Sequence, residues 1–548
     1  MKTTILKYLV CIGLLVATAG CKPNMDLSNP SESTVSTYYK TKAQLQASLV
    51  PAYEALIGRN QGGYCFQVLF AFLAPGDDYS RTYKWTSMYQ DTYNTPASDG
   101  IVQLAWMDMF NGVFASNIAI DKITNYKGTD ASTVDKNTML GQAYFLRGLF
   151  YLNLCSLYGE TIPLYNHPTT TTADYYPSNA KSGEVYAQIV SDFSKAASLL
   201  PVKSKLYADA SNVGRATQGA AQAFLAKAYL WRPILEKGQT AEYAKAQTVL
   251  ESLIGSKEYQ LNSNFHDNFT DDPKKENGKE SIFEVQMHTG PGWIGSDLSD
   301  SWRWCNIGLP DGTGGSWWNL APTKMAYNEF ETGDPRRYMT LWCPGGAYYT
   351  AQDGSKVTFD QMMNNVASDK DKYGTRKECP DAFSQYNGNI SDDFNDPLMR
   401  YADVLLMYAE CLHAGSGNDN KAITDPSGTK YWIQQVRNRA NNIVPSEQSQ
   451  LWYSTSNGTI PTVDDLMAAA PIINGFKMNN IMNVIEHERC VELMGEYYRY
   501  FDLLRLGMAD PIYLKPLTDL GWTAKAMYYP FPQQELNNNK NLKGNAMN

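Results

Sequence analysis

Apolar and polar positions repeat with a helical period through the first half of the chain. Gln44 to Leu56 carries one such pattern. Ile101 to Ile123 carries another, with Leu104, Ala105, Met109, Val113, Ile120 and Ile123 as its apolar positions. Thr138 to Leu157 is apolar on most faces, which predicts a buried helix. It should stop at Tyr158-Gly159, and Pro163 bars continuation. Ser182 is the expected cap of the next helix, whose apolar stripe is Val185, Ile189, Phe193 and Ala196, closed by Pro201. Ala216 to Trp231 is rich in Ala and Gly, so its backbone can approach a neighbour closely. Glu242 to Leu253 completes the run.

From about Asp267 to Asp396 the period is lost and Gly, Pro, Asn, Asp and Trp take over. That stretch predicts long ordered loops with a few short strands, such as Ser281 to Met287. Helices return at Leu398 to His413, Lys430 to Asn441 and Asn483 to Leu506, and the tail from Pro530 reads as extended. Helix pairs with Ala at contact points and short connectors are similar to tetratricopeptide units, although the repeat period is irregular. The expected fold class is all-α: a tetratricopeptide-like helical-repeat scaffold with a long loop-rich insertion carrying short strands.

Composition narrows the function. The 548 residues are 43% hydrophobic and 19% charged, so a large core can form. A net charge of −9 argues against nucleic acid as partner, because phosphate neutralisation needs a basic face. Five His and nine scattered Cys offer no metal or disulfide framework, and neither cofactor nor metal is expected. Lys2 and Lys7 precede an apolar run, Tyr8 to Ala19, too short to span a bilayer. It ends in Thr18-Ala19-Gly20-Cys21, which resembles a bacterial lipobox whose Cys21 is acylated and begins the mature chain. Lys22 to Ser36 reads as a tether. Of the seven Cys that remain, Cys155 and Cys411 fall in apolar helical patterns and should be buried thiols, while a Cys305–Cys343 or Cys343–Cys379 bridge is open.

Enzyme signatures fail. His487-Glu488 has no second His for a zinc site, Asp311 to Gly315 lacks the Lys-Ser/Thr of a phosphate loop, and no GxSxG occurs in the needed context. Glu488, Glu492 and Glu496 form one helical stripe. A carboxylate pair for glycoside hydrolysis is one reading. The other is structural: Arg489, Arg499 and Arg505 on the same helix, and Arg400, Arg437 and Arg439 on nearby ones, would pair with the stripe and lock helix to helix.

Two clusters suit a sugar, whose rings have apolar faces and polar edges. The first holds Asp77, Asp78, Tyr79, Arg81, Tyr83, Trp85 and Tyr89. The second holds Trp293, Trp302, Trp304, Trp317 and Trp318, five of twelve Trp within 26 residues, among seven Gly. Asp77, Asp78, Arg81, Trp85, Tyr89 and those five Trp are the candidate ligand contacts. Any one Trp could instead pin a loop by burying area at ~25 cal/mol per Å², and Arg81 could simply pair with Asp77 and Asp78.

Six segments together resemble the SusD/RagB family of Bacteroidetes outer-membrane lipoproteins, in that family's order: Ala143 to Leu164, Gly214 to Trp231, Arg400 to Glu410, Trp432 to Ala440, Glu488 to Gly507 and Tyr529 to Asn545. The resemblance implies a non-enzymatic protein that captures an oligosaccharide for a SusC-like TonB-dependent transporter, lipid-anchored at the outer membrane and facing the cell surface. Some relatives serve peptides. Surface members often carry acidic residues just after the lipid Cys; here Lys22 to Asp26 offers one. The implied organisation is a signal peptide at 1–20, a lipidated tether at 21–40, an N-terminal helical region at 41–260, a loop-rich ligand face at 261–397 and a C-terminal helical region with its tail at 398–548. A secreted glycoside hydrolase and a polypeptide-binding repeat scaffold are the alternatives from other classes.

Overall fold

The computed structural model describes residues 38–58, 67–82, 89–270, 272–287, 307, 317–344, 347–350, 356–364, 371–377, 394–415, 417–443, 451–453 and 459–545. Its main helices are α1 (Lys42–Ala47), α2 (Val50–Ile57), α3 (Gln67–Leu73), α4 (Gly100–Thr124), α5 (Thr133–Tyr158), α6 (Thr172–Tyr175), α7 (Glu184–Leu199), α8 (Gln218–Leu230), α9 (Tyr243–Gly255), α10 (Lys324–Glu329), α11 (Arg336–Thr340), α12 (Tyr401–Ala414), α13 (Thr429–Ala440), α14 (Val463–Ala469), α15 (Ile481–Leu493), α16 (Arg499–Gly507) and α17 (Gln533–Asn538). They pack as a chain of neighbours: α4 on α5, α5 on α7, α7 on α8, α8 on α9, α9 on α12, and α12 on α13 and α15. This is the all-α, helix-pair architecture expected of the sequence.

Local chemistry sets the helix ends. Ser132 and Asp135 form a capping box at the start of α5, and Asp99 caps α4 through the amide of Val102. At Gly112 a Cβ would lie 2.2 Å from the Phe150 ring, so only glycine lets α4 and α5 come this close. The small residues of α8 do the same against α7 and α9: Ala220, Ala221, Ala223, Ala226 and Ala228 are fully buried. One large apolar core runs through residues of all three stretches 41–260, 261–397 and 398–548.

Strands are short and antiparallel: β1 (Tyr79–Arg81), β2 (Ser281–Val285), β3 (Leu320–Pro322), β4 (Leu341–Trp342), β5 (Ala347–Thr350), β6 (Lys356–Thr358), β7 (Gly374–Thr375), β8 (Asp396–Arg400), β9 (Leu451–Tyr453), β10 (Ile472–Ile473) and β11 (Phe476–Lys477). β1 pairs with β3, β2 with β8, β4 with β7, β10 with β11, and β5 with both β6 and β9.

Five expectations are corrected. The pattern from Gln44 to Leu56 makes two helices, because Pro51 has no amide to continue a helix and sits instead in the first turn of α2. Ser182 does not cap α7; Gly183 occupies the cap in a left-handed conformation, and the Ser182 hydroxyl donates to Glu160 at 2.8 Å. Leu398 to Arg400 belong to β8, and the helix begins only at Tyr401. The helix expected over Asn483 to Leu506 breaks after Leu493, with Gly495 at φ +83° and Tyr497 at φ +75°. Buried cations reward that break: Lys377 Nζ donates to the carbonyls of Glu492 (2.8 Å) and Met494 (3.0 Å), and Arg400 donates to that of Glu492 (3.0 Å). The tail is not wholly extended, since it contains α17.

Cys155, Cys343, Cys411 and Cys490 are free, buried thiols. Cys343 therefore makes neither of the bridges left open by the sequence; Cys305 and Cys379 lie outside the described residues.

Candidate ligand face

The two candidate clusters, far apart in sequence, meet through β1 and β3. Ser80 lies opposite Ala321 and Arg81 opposite Leu320. The contact continues past the strands: the Thr82 amide donates to Asn319 O at 2.9 Å, and its hydroxyl to Trp318 O at 2.5 Å. At the other end, the Thr323 amide donates to Asp78 O (2.8 Å) and its hydroxyl to Asp77 O (2.7 Å). Beside this ladder is a cleft of about 720 Å³, within the ~300–1,000 Å³ range of small-molecule sites. Asp77, Tyr79, Ser80 and Asp91 line one side; Lys372, Phe476 and Lys515 line others.

Each side chain has a definite place. Asp77 is buried and accepts from Arg499 through both oxygens, at 2.7 and 3.0 Å. Asp78 is buried beside it, and neither of its side-chain oxygens finds a hydrogen-bond partner among the described residues. Burial, reinforced by the neighbouring charge of Asp77, pushes its carboxyl up to about 7. The Tyr79 hydroxyl shares a hydrogen bond with Thr375 at 3.1 Å. Ser80 bonds Lys372. Arg81 does not pair with Asp77 or Asp78 as the sequence allowed. Its Nε lies 3.6 Å from Asp91, whose carboxyl is raised chiefly by burial. Tyr89 is 41% exposed, and Trp317 is half-buried against the main core.

Trp318 is a correction to the picture of an open ring. It is fully enclosed at φ +49°, and its indole donates to Tyr373 O at 3.1 Å. An enclosed indole with its donor used anchors the rim and offers no free face. Asp78 is likewise held below the surface, and Asp77, in the cleft wall, has both oxygens taken by Arg499. Cys21, Trp85, Trp293, Trp302 and Trp304 lie outside the described residues.

Under the cleft runs a buried ionic seam, reached from Asp77 through Arg499, which also holds Glu486. Burial raises the Glu486 carboxyl, against the pull of Arg499. Next to it His487 bonds Glu329 at 2.7 Å and Glu331 at 3.2 Å. Burial opposes its charge, yet those two carboxylates outweigh burial and raise it to about 10, so the ring is an imidazolium. Arg437 links Glu331 (2.8 Å) to Glu488 (2.9 Å), and Arg336 links Glu488 (2.5 Å) to Glu492 (3.2 Å). Arg400 then joins Glu492 (3.0 Å), Glu496 (2.7 Å) and Glu280 (2.7 Å), while Arg439 joins Glu280 (2.7 Å) and Glu492. Lys377 closes the seam on Glu496 at 2.5 Å. Glu492 is held down at about 2: burial opposes its charge, and Arg439, Arg400, Arg336 and Lys377 overcome it.

Glu488 and Glu492 on α15, and Glu496 past its end, are thus each paired with buried cations, as the structural reading of the sequence expects, although the break after Leu493 takes Glu496 off the helix. Glu280, Arg336 and Lys377, the partners that reading missed, lie in the aperiodic stretch, where sequence offers no partner signal. Arg489 pairs instead with Asp403 (2.7 Å) and Asp502 (2.8 Å), and Arg505 with Glu410 (2.5 Å). Among the described residues no group of His, Cys, Asp and Glu could hold a metal ion, and no helix is long and apolar enough to cross a membrane.

This is a helical-repeat frame that braces an open cleft and its rim. A profile of the SusD family matches residues 251–547, and one described as "Starch-binding associating with outer membrane" matches residues 25–230. The chain belongs to the SusD family. SusD-like protein P38 of Formosa agariphila is 25% identical over 100% of this chain and 99% of its own length. A laminarin-binding SusD-like protein superposes with a TM-score of 0.66 at 21% identity, covering 93% of this chain and 100% of that one. A crystal structure with xylogluco-oligosaccharide superposes with a TM-score of 0.67 at 19% identity, covering 91% and 97%.

Proposed function

We propose that this chain is a lipid-anchored outer-membrane protein that binds an oligosaccharide at its cell-surface face and passes it to a SusC-like TonB-dependent transporter, with no covalent chemistry of its own. The observation that carries this reading is the β1–β3 ladder, which joins two aromatic and polar clusters 236 residues apart beside a cleft of about 720 Å³. The laminarin and xylogluco-oligosaccharide relatives support a carbohydrate ligand. In this reading Arg81, Tyr89 and Trp317, with Trp85, Trp293, Trp302 and Trp304, contact the sugar. Asp77, Asp78 and Trp318 hold the rim in place from below. Cys21 carries the lipid.

Calorimetric titration with starch, laminarin and xyloglucan oligosaccharides tests it. At least one should bind, and Trp85→Ala or Trp317→Ala should weaken that binding about tenfold, or ~1.4 kcal/mol. Binding unchanged in every aromatic variant moves the site elsewhere, and cleavage of the oligosaccharide by the purified chain refutes the reading. An alkyne fatty acid fed to cells should label the chain, and Cys21→Ser should not be labelled. Co-purification of a TonB-dependent transporter with the tagged full chain checks the partner.

A further inference from the structure

A second pocket, of about 200 Å³, shares no residue with the cleft. It lies between α4, the segment that follows α5, α6 and α17. Its walls are aromatic: Phe114 and Tyr165 meet edge to face at 4.9 Å, and Tyr175 and Tyr176 stand at its edge. Those two tyrosines are 61% and 46% exposed, among the most exposed large rings of the described residues. The backbone that follows them is tied to the C-terminal tail. Asn541 donates to Tyr176 O at 2.7 Å, Asn539 to Pro177 O at 2.8 Å, and Asn179 and Lys543 exchange two hydrogen bonds at 2.8 and 2.9 Å.

A pinned backbone lowers the entropic cost of binding, because the segment itself need not be ordered on contact. Asn539 in the pocket wall is spent on Pro177 and Asn541, but Glu535 is not. Glu535 lines it, burial raises its carboxyl, and no hydrogen bond to that carboxylate is made among the described residues. Burial, helped by the charge of Glu535, raises the Tyr165 hydroxyl to about 12, and both residues line the pocket. Glu535, Tyr165 and Asn538, a carboxylate, a phenol and an amide, thus border a space walled by flat rings.

From this combination we infer that the pocket is a second carbohydrate subsite, which takes one pyranose ring. The rings cover the apolar C–H face of the sugar, and Glu535 accepts from two adjacent hydroxyls. The volume is below that of pockets for drug-sized ligands, ~300–1,000 Å³, so it suits a single ring and not a chain. The inference does not depend on which residues serve the cleft.

Saturation-transfer NMR with methyl β-glucopyranoside, methyl β-galactopyranoside and methyl α-mannopyranoside at millimolar concentration tests it on the intact mature chain. At least one glycoside should receive saturation at its ring protons. The double variant Tyr175→Ala/Tyr176→Ala should lose at least half of that signal, and Glu535→Gln should weaken it severalfold. Both tyrosines are exposed, so the melting temperature of the double variant should be unchanged, and so should its oligosaccharide titration at the cleft. No saturation in the unaltered chain overturns the inference, as does a signal of full strength in both variants. Either result leaves the reading of the cleft standing.

Discussion

The helices from α4 to α8 and those from α12 to α16 are packed in different currencies. In the first group apolar rings and methyl groups fill the contacts: Phe145 packs on Phe193, Phe224 and Phe283 at 4.8–5.9 Å, and small residues of α8 face its neighbours. A single bidentate pair, Arg147 with Asp192 at 2.7 and 2.8 Å, crosses between α5 and α7. The second group has its own apolar cluster, with Ala409, Ile433, Val463, Ile485 and Leu506, but adds to it a continuous seam of buried charge from Asp77 to Lys377. An apolar contact tolerates small changes of angle. A guanidinium fork holds its carboxylate in one geometry. The region beneath the cleft is the one that uses the stricter device, so the rim is fixed by its floor.

The largest expected effect breaks the ionic half. Glu492→Gln leaves Arg439, Arg400 and Arg336 short of one buried charge and should cost about 3–5 kcal/mol, read by chemical denaturation. Loss of a hydrolase activity with folding intact would instead revive the catalytic reading of the stripe. Phe145→Ala should cost about 3–4 kcal/mol by opening a cavity. Its penalty should be the same at pH 7 and pH 3, whereas the Glu492→Gln penalty, full above about pH 4.5, should shrink as pH falls toward 2, which separates the two halves.

Asp78→Asn works in the opposite direction. The folded state holds the Asp78 proton up to about pH 7, whereas the unfolded chain releases it near 4. The stability tied to that proton is therefore present at low pH and lost as pH rises through 7. The Asn variant should gain about 4 kcal/mol over the native chain at pH 8.5 and nothing at pH 4, as measured by melting at both values. Lys515→Ala, which breaks an exposed pair with Asp519 at 2.6 Å, should change stability by less than about 0.5 kcal/mol.

The sequence was most readable where packing is apolar. Helix existence and order follow from the period, because a buried face repeats whatever its partner. Boundaries were less readable where a distant group decides them. The end of α15 at Leu493 depends on Lys377 and Arg400 reaching its carbonyls, and neither stands nearby in sequence. The same holds for the face. Asp77 and Trp318 were visible as residue types, but only the fold reveals that Arg499 and the carbonyl of Tyr373 already occupy them. Arg81 had its obvious neighbours wrong for the same reason: β1 carries it toward Asp91 while Asp77 and Asp78 stay below.

The four enclosed thiols supply a clock. Burial pushes the Cys343 thiol up to about 12 and raises those of Cys155, Cys411 and Cys490 as well, so each is protonated and shielded in the folded chain. Cys155 sits in α5, Cys411 in α12 and Cys490 in α15, while Cys343 follows β4. With the other cysteines changed to serine, the rate at which a thiol reagent marks each one times the opening of a different layer. Equal rates would mean that the protein comes apart as one unit; staggered rates would rank its layers by how readily they part.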